Sequence, residues 1–243
     1  MLADTERRRR SAMRRLVVTG VVLAAAAVGT GAVLLWGPGA GPTSTSTTAP
    51  AVAGSPAAAP PASTGPSTGV LPAPARVEQG IPVGYPHTPA GAVSAAAHYT
   101  EARDLLSPHL VAQQMRVMAR HTAQDLGGLS GTGIADARDW RTRLGLDPDG
   151  GSDANSFIAV QVRGYQVEVA NADQVDVWLL AVETPTVGGI AHGRGTFVVA
   201  APVAWADGDW KLVDRQLQKA PESAEPDSSD AVSKGWIPVA YQR

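Results

Sequence analysis

The sequence predicts an α+β fold held outside a membrane: an N-terminal transmembrane helix, a disordered linker, and a domain of about three helices on a curved, antiparallel, four-stranded sheet. Three observations lead there. Residues 16–36, LVVTGVVLAAAAVGTGAVLLW, form an uncharged apolar run directly behind six arginines. Between residues 88 and 144, apolar positions recur at helical spacing. After the loop DPDGGSD, residues 147–153, the spacing changes to two and β-branched residues become frequent.

At about 1.5 Å per helical residue the apolar run reaches roughly 31 Å, the thickness of a bilayer hydrocarbon core. Arg7, Arg8, Arg9, Arg10, Arg14 and Arg15 would stay with the cytoplasmic headgroups, whereas Gly37 to Ala75 carries no charge. The positive-inside rule then makes residues 1–15 a cytoplasmic segment, 16–36 a single span of the cytoplasmic membrane, and the remainder extracytoplasmic. The competing reading is a cleaved signal peptide. Its apolar core would be only about 7 to 15 residues long, and no A-x-A site stands where this core ends. Arg14-Arg15 also allows a twin-arginine signal, in a weak context. The chain has no cysteine, which excludes lipidation at cysteine, disulfides and thiolate metal sites.

Residues 37–77 form the linker. Up to Ala75 they are almost entirely Ala, Pro, Thr, Ser and Gly, too poor in large apolar groups to offset the entropy of ordering. Such a spacer reaches between about 35 Å as a coil and about 120 Å when extended. Its composition also suits O-glycosylation.

The domain spans residues 78–218. Thr88-Pro89 pairs a capping hydroxyl with a proline in the first turn, starting a helix with Ala92, Ala96, Tyr99 and Leu106 on one face. Ser107-Pro108 repeats the signal for a second helix. That helix carries Val111, Met115, Met118 and Thr122 and fades before Gly127-Gly128. A third, from about Ile134 to Leu144, brings Trp140 and Leu144 together. Four strands follow: Phe157 to Val169, Val175 to Glu183, Gly195 to Trp205 and Trp210 to Leu217. Gly164 marks a bend or bulge in the first, Pro202 an exposed edge or bulge in the third, and Asp207-Gly208 a tight hairpin between the last two. Residues 219–243 read as an acidic flexible tail whose apolar end, GWIPVAYQR, docks on the domain or on a partner.

Charge argues against nucleic acid as a partner. The first 36 residues hold six of the 20 basic side chains and two of the 22 acidic ones, leaving 14 basic against 20 acidic beyond them. An acidic exterior does not neutralise phosphates.

GIPVGYPHTPAGAVSAAAHY, residues 80–99, resembles the opening of the exported domain in actinobacterial membrane-anchored proteins with an Arg-rich start and a Pro/Thr spacer. The hairpin DGDWKLV, residues 207–213, is similar to the last hairpin of cone-shaped domains of the nuclear transport factor 2-like superfamily. That resemblance implies a cone, and with it the outer domain of bitopic scaffold proteins of conjugative transfer or type IV secretion. It also implies a cavity of the kind that isomerases and dehydratases of the superfamily use.

Tyr85, His87, His98, Asp176 and Trp178 are the candidates for lining a cavity or an interaction surface. His98, beside Tyr99, is either a cavity base or a hydrogen-bonded or surface histidine. Asp176 and Trp178 share one strand face, so Asp176 is either a buried base or an outer-face charge. No two of the five histidines have a metal-ligand spacing. Asp147, Asp149, Ser152 and Asp153 resemble an oxygen-rich calcium loop but lack the bidentate glutamate, and Asp and Gly are equally ordinary turn residues. GGLSGTG, residues 127–133, has neither the preceding strand nor the Gly-Lys-Ser/Thr of a phosphate loop and reads as a flexible connector.

No catalytic residue, metal or cofactor is assigned. The expectation is a membrane-anchored scaffold whose partners are the bilayer, other envelope or transfer-machinery proteins and further copies of itself. The alternative is a small-ligand sensor or an isomerase/dehydratase-like enzyme using the cavity.

Overall fold

A computed structural model describes residues 70–151 and 153–242. The arginine patch, the apolar run 16–36 and the linker up to residue 69 lie outside the described residues. Among the described residues no helix is long and apolar enough to cross a membrane.

The fold is α+β and mostly antiparallel, with three main helices and a seven-stranded sheet, which overturns the four-stranded cone. The strands are β1 (Val70–Leu71), β2 (Arg76–Glu78), β3 (Ile81–Val83), β4 (Phe157–Ala170), β5 (Gln174–Val187), β6 (Ile190–Ala191), β7 (Gly195–Ala200), β8 (Val203–Ala206), β9 (Asp209–Leu212), β10 (Ile237–Pro238) and β11 (Ala240–Tyr241). The helices are α1 (Pro89–Ala102), α2 (Pro108–Met118), α3 (Ala123–Arg143) and the short α4 (Ser229–Ser233). The sheet runs β10-β4-β5-β8-β9, with β6 and β7 also on β5. Small ladders β1-β11 and β2-β3 stand outside it.

The extra strands have a physical origin. At 14 residues each, β4 and β5 make a ribbon long enough to accept several short partners along its edges. Pro202 has no N–H to donate, and the run read as one strand from Gly195 to Trp205 parts there into β7 and β8. Asp207 and Gly208 have φ of 55° and 77°, the mirror-image turn that suits a two-residue hairpin, and Trp205 faces Trp210 across it. At Gly164 the β4-β5 register shifts, and β10 pairs beside that bulge.

Helix α1 lies against the sheet along nearly its whole length, with Gly91 to Ala97 and Tyr99 buried. Small residues let the helix axis approach closely. A Cβ at Gly91 would stand 2.0 Å from the Pro86 carbonyl oxygen.

The glycine-rich segment corrects the sequence expectation. Rather than a connector, residues 127–133 lie inside α3, which begins at its N-cap Thr122. Thr122 therefore belongs to α3 rather than to the stripe of α2. Packing explains why glycine is tolerated: a Cβ at Gly128 would lie 1.8 Å from the Asp214 carboxylate, and one at Gly133 would lie 2.6 Å from Val111 Cγ1. Close approach of α3 to α2 and to the chain after β9 offsets the roughly 1 kcal/mol per glycine of lost helix propensity.

Both ends of the domain extend past the expected limits of 78 and 218. Val70 pairs in parallel with Ala240 and Leu71 with Tyr241, and Leu71 is buried. The tail's apolar end docks on the domain, one of its two expected outcomes, and the acidic stretch expected to be flexible is held with it. Trp236, 3% exposed, packs with Ala224 and Ala231 on Trp178 and Leu180, covering the sheet face opposite α1. Its indole N–H donates to the Glu222 carbonyl at 2.9 Å.

Candidate functional site

Residues 84–87, between β3 and α1, form the centre of the site because the β8-β9 hairpin grips their backbone. Asp209, 2% exposed, accepts the N–H of Gly84 at 2.9 Å and of Tyr85 at 3.1 Å, besides that of Trp210 at 2.9 Å. The Trp210 indole donates to Pro86 O at 2.9 Å, and the Tyr99 hydroxyl donates to Trp210 O at 2.9 Å. Gly84 takes φ of +82°, the left-handed region that favours glycine.

Two aromatic groups result. In the first, the Tyr85 ring stacks on His98 with centroids 5.6 Å apart, and His98 rests against Tyr241 at 4.4 Å. Tyr99 meets Tyr85 edge-on at 6.1 Å. His98 Nδ1 lies 2.9 Å from the Ser94 carbonyl oxygen, which can only accept, so this nitrogen carries the proton in the neutral ring. Burial lowers the pKa of His98, against a raising hydrogen bond to Ser94 O. Burial raises the pKa of Glu101, whose Oε1 accepts the N–H of Val162 at 2.8 Å. Burial also drives the phenols of Tyr85 and Tyr241 upward, reinforced by Asp209 and Glu101 at Tyr85 and by Glu101 at Tyr241. The group is thus biased toward neutrality, and the buried hydroxyls of Tyr85 and Tyr241 have no partner of ordinary hydrogen-bond geometry. Tyr241 still lies close enough to Glu101 for their titrations to be linked.

In the second group His87 stacks on Trp205 with centroids 4.1 Å apart and planes 9° apart, and Trp210 stands edge-on to both. His87 Nε2 is 2.9 Å from Asp173 Oδ1, at the exposed side.

Of the five candidates, the fold brings Tyr85 and His98 together, sets His87 in the neighbouring group, and places Asp176 and Trp178 on the opposite sheet face under the tail. Asp176 is fully buried, paired with Arg215 Nη2 and accepting from Gln174 Nε2 at 3.2 Å. The Trp178 indole donates to Glu168 at 3.0 Å. The Asp176 carboxylate is thus occupied on both oxygens, by the ion pair and by the hydrogen bond. Glu101, Trp205 and Asp209 escaped the sequence reading as site residues, and Tyr241 entered it only within the apolar end of the tail. For Asp209 a signal was present, since it directly follows the Asp-Gly turn.

The acidic loop after α3 closes around an arginine. The Arg141 guanidinium donates to Asp147 O, and its Nη1 donates to Leu106 O and Gly151 O at 3.0 Å each. The carboxylates are engaged as well: Asp149 with Arg138, Asp147 with the N–H of Asp149, and Asp153 with Asn155 and Ser156. Among the described residues no three His, Cys, Asp or Glu side chains converge as metal ligands.

Residues 37–238 match the family described as Domain of unknown function (DUF8175). The chain belongs to that family. The matched span takes in the docked tail through β10, so the covering of the second sheet face lies within the family's own domain. No curated protein and no solved structure matches the chain.

Proposed function

We propose that this chain is a single-pass, membrane-anchored protein-interaction component of the cell envelope, with its N-terminus cytoplasmic and its domain extracytoplasmic. One observation carries the reading: α1 covers one face of the sheet and the C-terminal tail covers the other. What the domain then offers is its outer surface and its sheet edges, presented at the end of a long spacer. The arginines ahead of the apolar run support the orientation. The narrower tie to conjugative transfer or type IV secretion rests on the resemblance of residues 80–99 and 207–213 alone.

The test has two arms. A reporter fused after Arg243 is active only outside the membrane. Crosslinking in intact cells captures the same partners for the full chain and for Asp176→Asn and His98→Gln, and loses them when the domain is detached from residues 1–36, because tethering supplies effective concentration. Unchanged capture with loss of phenotype in the point variants would instead favour catalysis.

The buried Tyr85 hydroxyl, which has no hydrogen-bond partner, favours a second reading, a small acceptor-bearing ligand beside His98. Such a ligand would raise the melting temperature of the wild type and not of Tyr85→Phe.

A further inference from the structure

Among the described residues, one edge of the seven-stranded sheet is left open at β7. Its register against β5 runs from Trp178↔Ala200 to Glu183↔Gly195, and Ala201 donates its N–H to Val177 O at 2.8 Å. Facing residues of an antiparallel ladder alternate between pairs that exchange both hydrogen bonds and pairs that exchange none. Counting from Val177/Ala201, the bonds to β5 belong to Val199, Phe197 and Gly195. The N–H and C=O groups of Thr196, Val198 and Ala200 therefore point away from β5. Among the described residues no strand pairs on that side and no backbone group outside the ladder bonds to them.

The chain comes close to filling this edge and then leaves it. Strand β8 continues β7 along β5 in the same register, through Val175↔Val203, and β9 lies outside β8. Past Val213 the chain departs toward the tail-covered face. There Arg215 reaches Asp176, and Leu217 packs beside Trp178 and Leu180. Edge strands are ordinarily shielded by a lysine, a proline, a bulge or an inward charge. Within GTFVVA there is none. Phe197 and Val199 reach the helix-side core, Val198 and Ala200 the tail-side core, and Thr196 is exposed.

We propose that β7 is the contact through which two copies of this chain associate, pairing edge to edge and antiparallel about a two-fold axis at Val198. The occupant follows from the register. Three outward residues with Val198 in the middle set Thr196 against the partner's Ala200, and Val198 against its own copy, using every free N–H and C=O of the strand. A register moved to one side brings Pro202, which has no N–H, into the ladder. Moved to the other, it brings in Arg194, next to Gly193 at φ +76°. This interface deepens the association reading and rests on it; anchoring both copies in one membrane raises their effective concentration.

Because the chain has no cysteine, single substitutions report the geometry. In the full chain, oxidised in membranes of cells that express it, Val198→Cys crosslinks to itself, since directly facing hydrogen-bonded residues have Cα atoms about 5.5 Å apart, within disulfide reach. Thr196→Cys does not, because its two copies stand about 13 Å apart along the strands. Thr196→Cys mixed with a differently tagged Ala200→Cys does crosslink, and this pair reads the same axis should Val198→Cys accumulate poorly. Adding Thr196→Lys lowers the Val198→Cys crosslink at least tenfold with an unchanged melting temperature. The proposal is overturned if neither Val198→Cys nor the mixed pair crosslinks, or if exposed Val232→Cys crosslinks equally well. Crosslinking of Val198→Cys to a different protein alone would assign the edge to a foreign strand. Failure of the dimer with partner capture retained in intact cells leaves the association reading standing.

Discussion

The carboxylate of Asp209 accepts the backbone N–H of Tyr85 at 3.1 Å across 124 residues of sequence. With the bonds to Gly84 and Trp210, it closes the β8-β9 hairpin onto the segment that leads into α1. Asp209→Ala leaves three N–H groups in a buried setting without an acceptor, at about 1 to 3 kcal/mol for each that stays unsatisfied. Chemical denaturation should show a loss of at least about 3 kcal/mol, with Asp209→Asn intermediate because it keeps one oxygen. An effect below about 0.5 kcal/mol would mean that the clamp is not formed in solution.

Trp210 is fully buried and Trp236 nearly so, on opposite faces of the sheet. Either Trp→Ala change should cost about 3 to 5 kcal/mol. They differ in a second readout. Limited proteolysis should cut within residues 219–243 much faster in Trp236→Ala than in Trp210→Ala, because only the former releases the tail from the Trp178 face. Equal cutting would separate tail docking from Trp236.

Helix α3 provides its own control. Gly127 and Gly131 face open space, whereas a Cβ at Gly128 or Gly133 meets Asp214 or Val111. Gly127→Ala and Gly131→Ala should each stabilise by about 0.4 to 1 kcal/mol, while Gly128→Ala and Gly133→Ala should destabilise despite the same gain in propensity. A common sign in thermal melts for all four would contradict the packing of α3.

Stability should depend on pH through His98. Its folded pKa lies below the ordinary value of 6.5, so the unfolded chain binds the proton more readily. The contribution is present above pH 6.5 and is lost as pH falls through the folded value. Tyr85, Tyr241, Ser94 and Glu101 surround the ring's side of α1. Glu101, with its pKa raised, works the other way as pH falls toward its own range. The difference between wild type and His98→Phe isolates the histidine: the two curves should diverge between about pH 7 and pH 5, with wild type losing more. Parallel curves would show that His98 titrates alike in both states.

Asp125 controls a lower window. Burial raises its pKa, but hydrogen bonds from Thr122, Arg120 and the Asp214 N–H outweigh this and hold it below 3.8. Its contribution is complete above that value and disappears as pH falls below it. Acid unfolding of Asp125→Asn should therefore start from a lower stability at pH 7 and show a shallower slope below about pH 4. An unchanged slope would assign the acid transition to other carboxylates.

What the sequence determined by itself were features whose causes lie within a few residues. The starts at Thr88-Pro89 and Ser107-Pro108 depend on one hydroxyl and one proline, the Asp207-Gly208 hairpin on two left-handed residues, and the Gly164 bulge on a break in one strand. Each is a local preference of the backbone and needs no distant partner. Tertiary structure decided whatever depends on which surfaces meet. Helical propensity argued against a helix through four glycines, and contact of Gly128 with Asp214 and of Gly133 with Val111 overrode it. Alternation put Asp176 and Trp178 on one face but carried no information about the tail that covers that face or about Arg215, 39 residues on, which pairs with Asp176. Tyr85 and His98 were visible as residue types in a short motif. Their junction with Tyr241 required the last strand to return beside the first, and spacing along a chain does not encode contacts between its two ends.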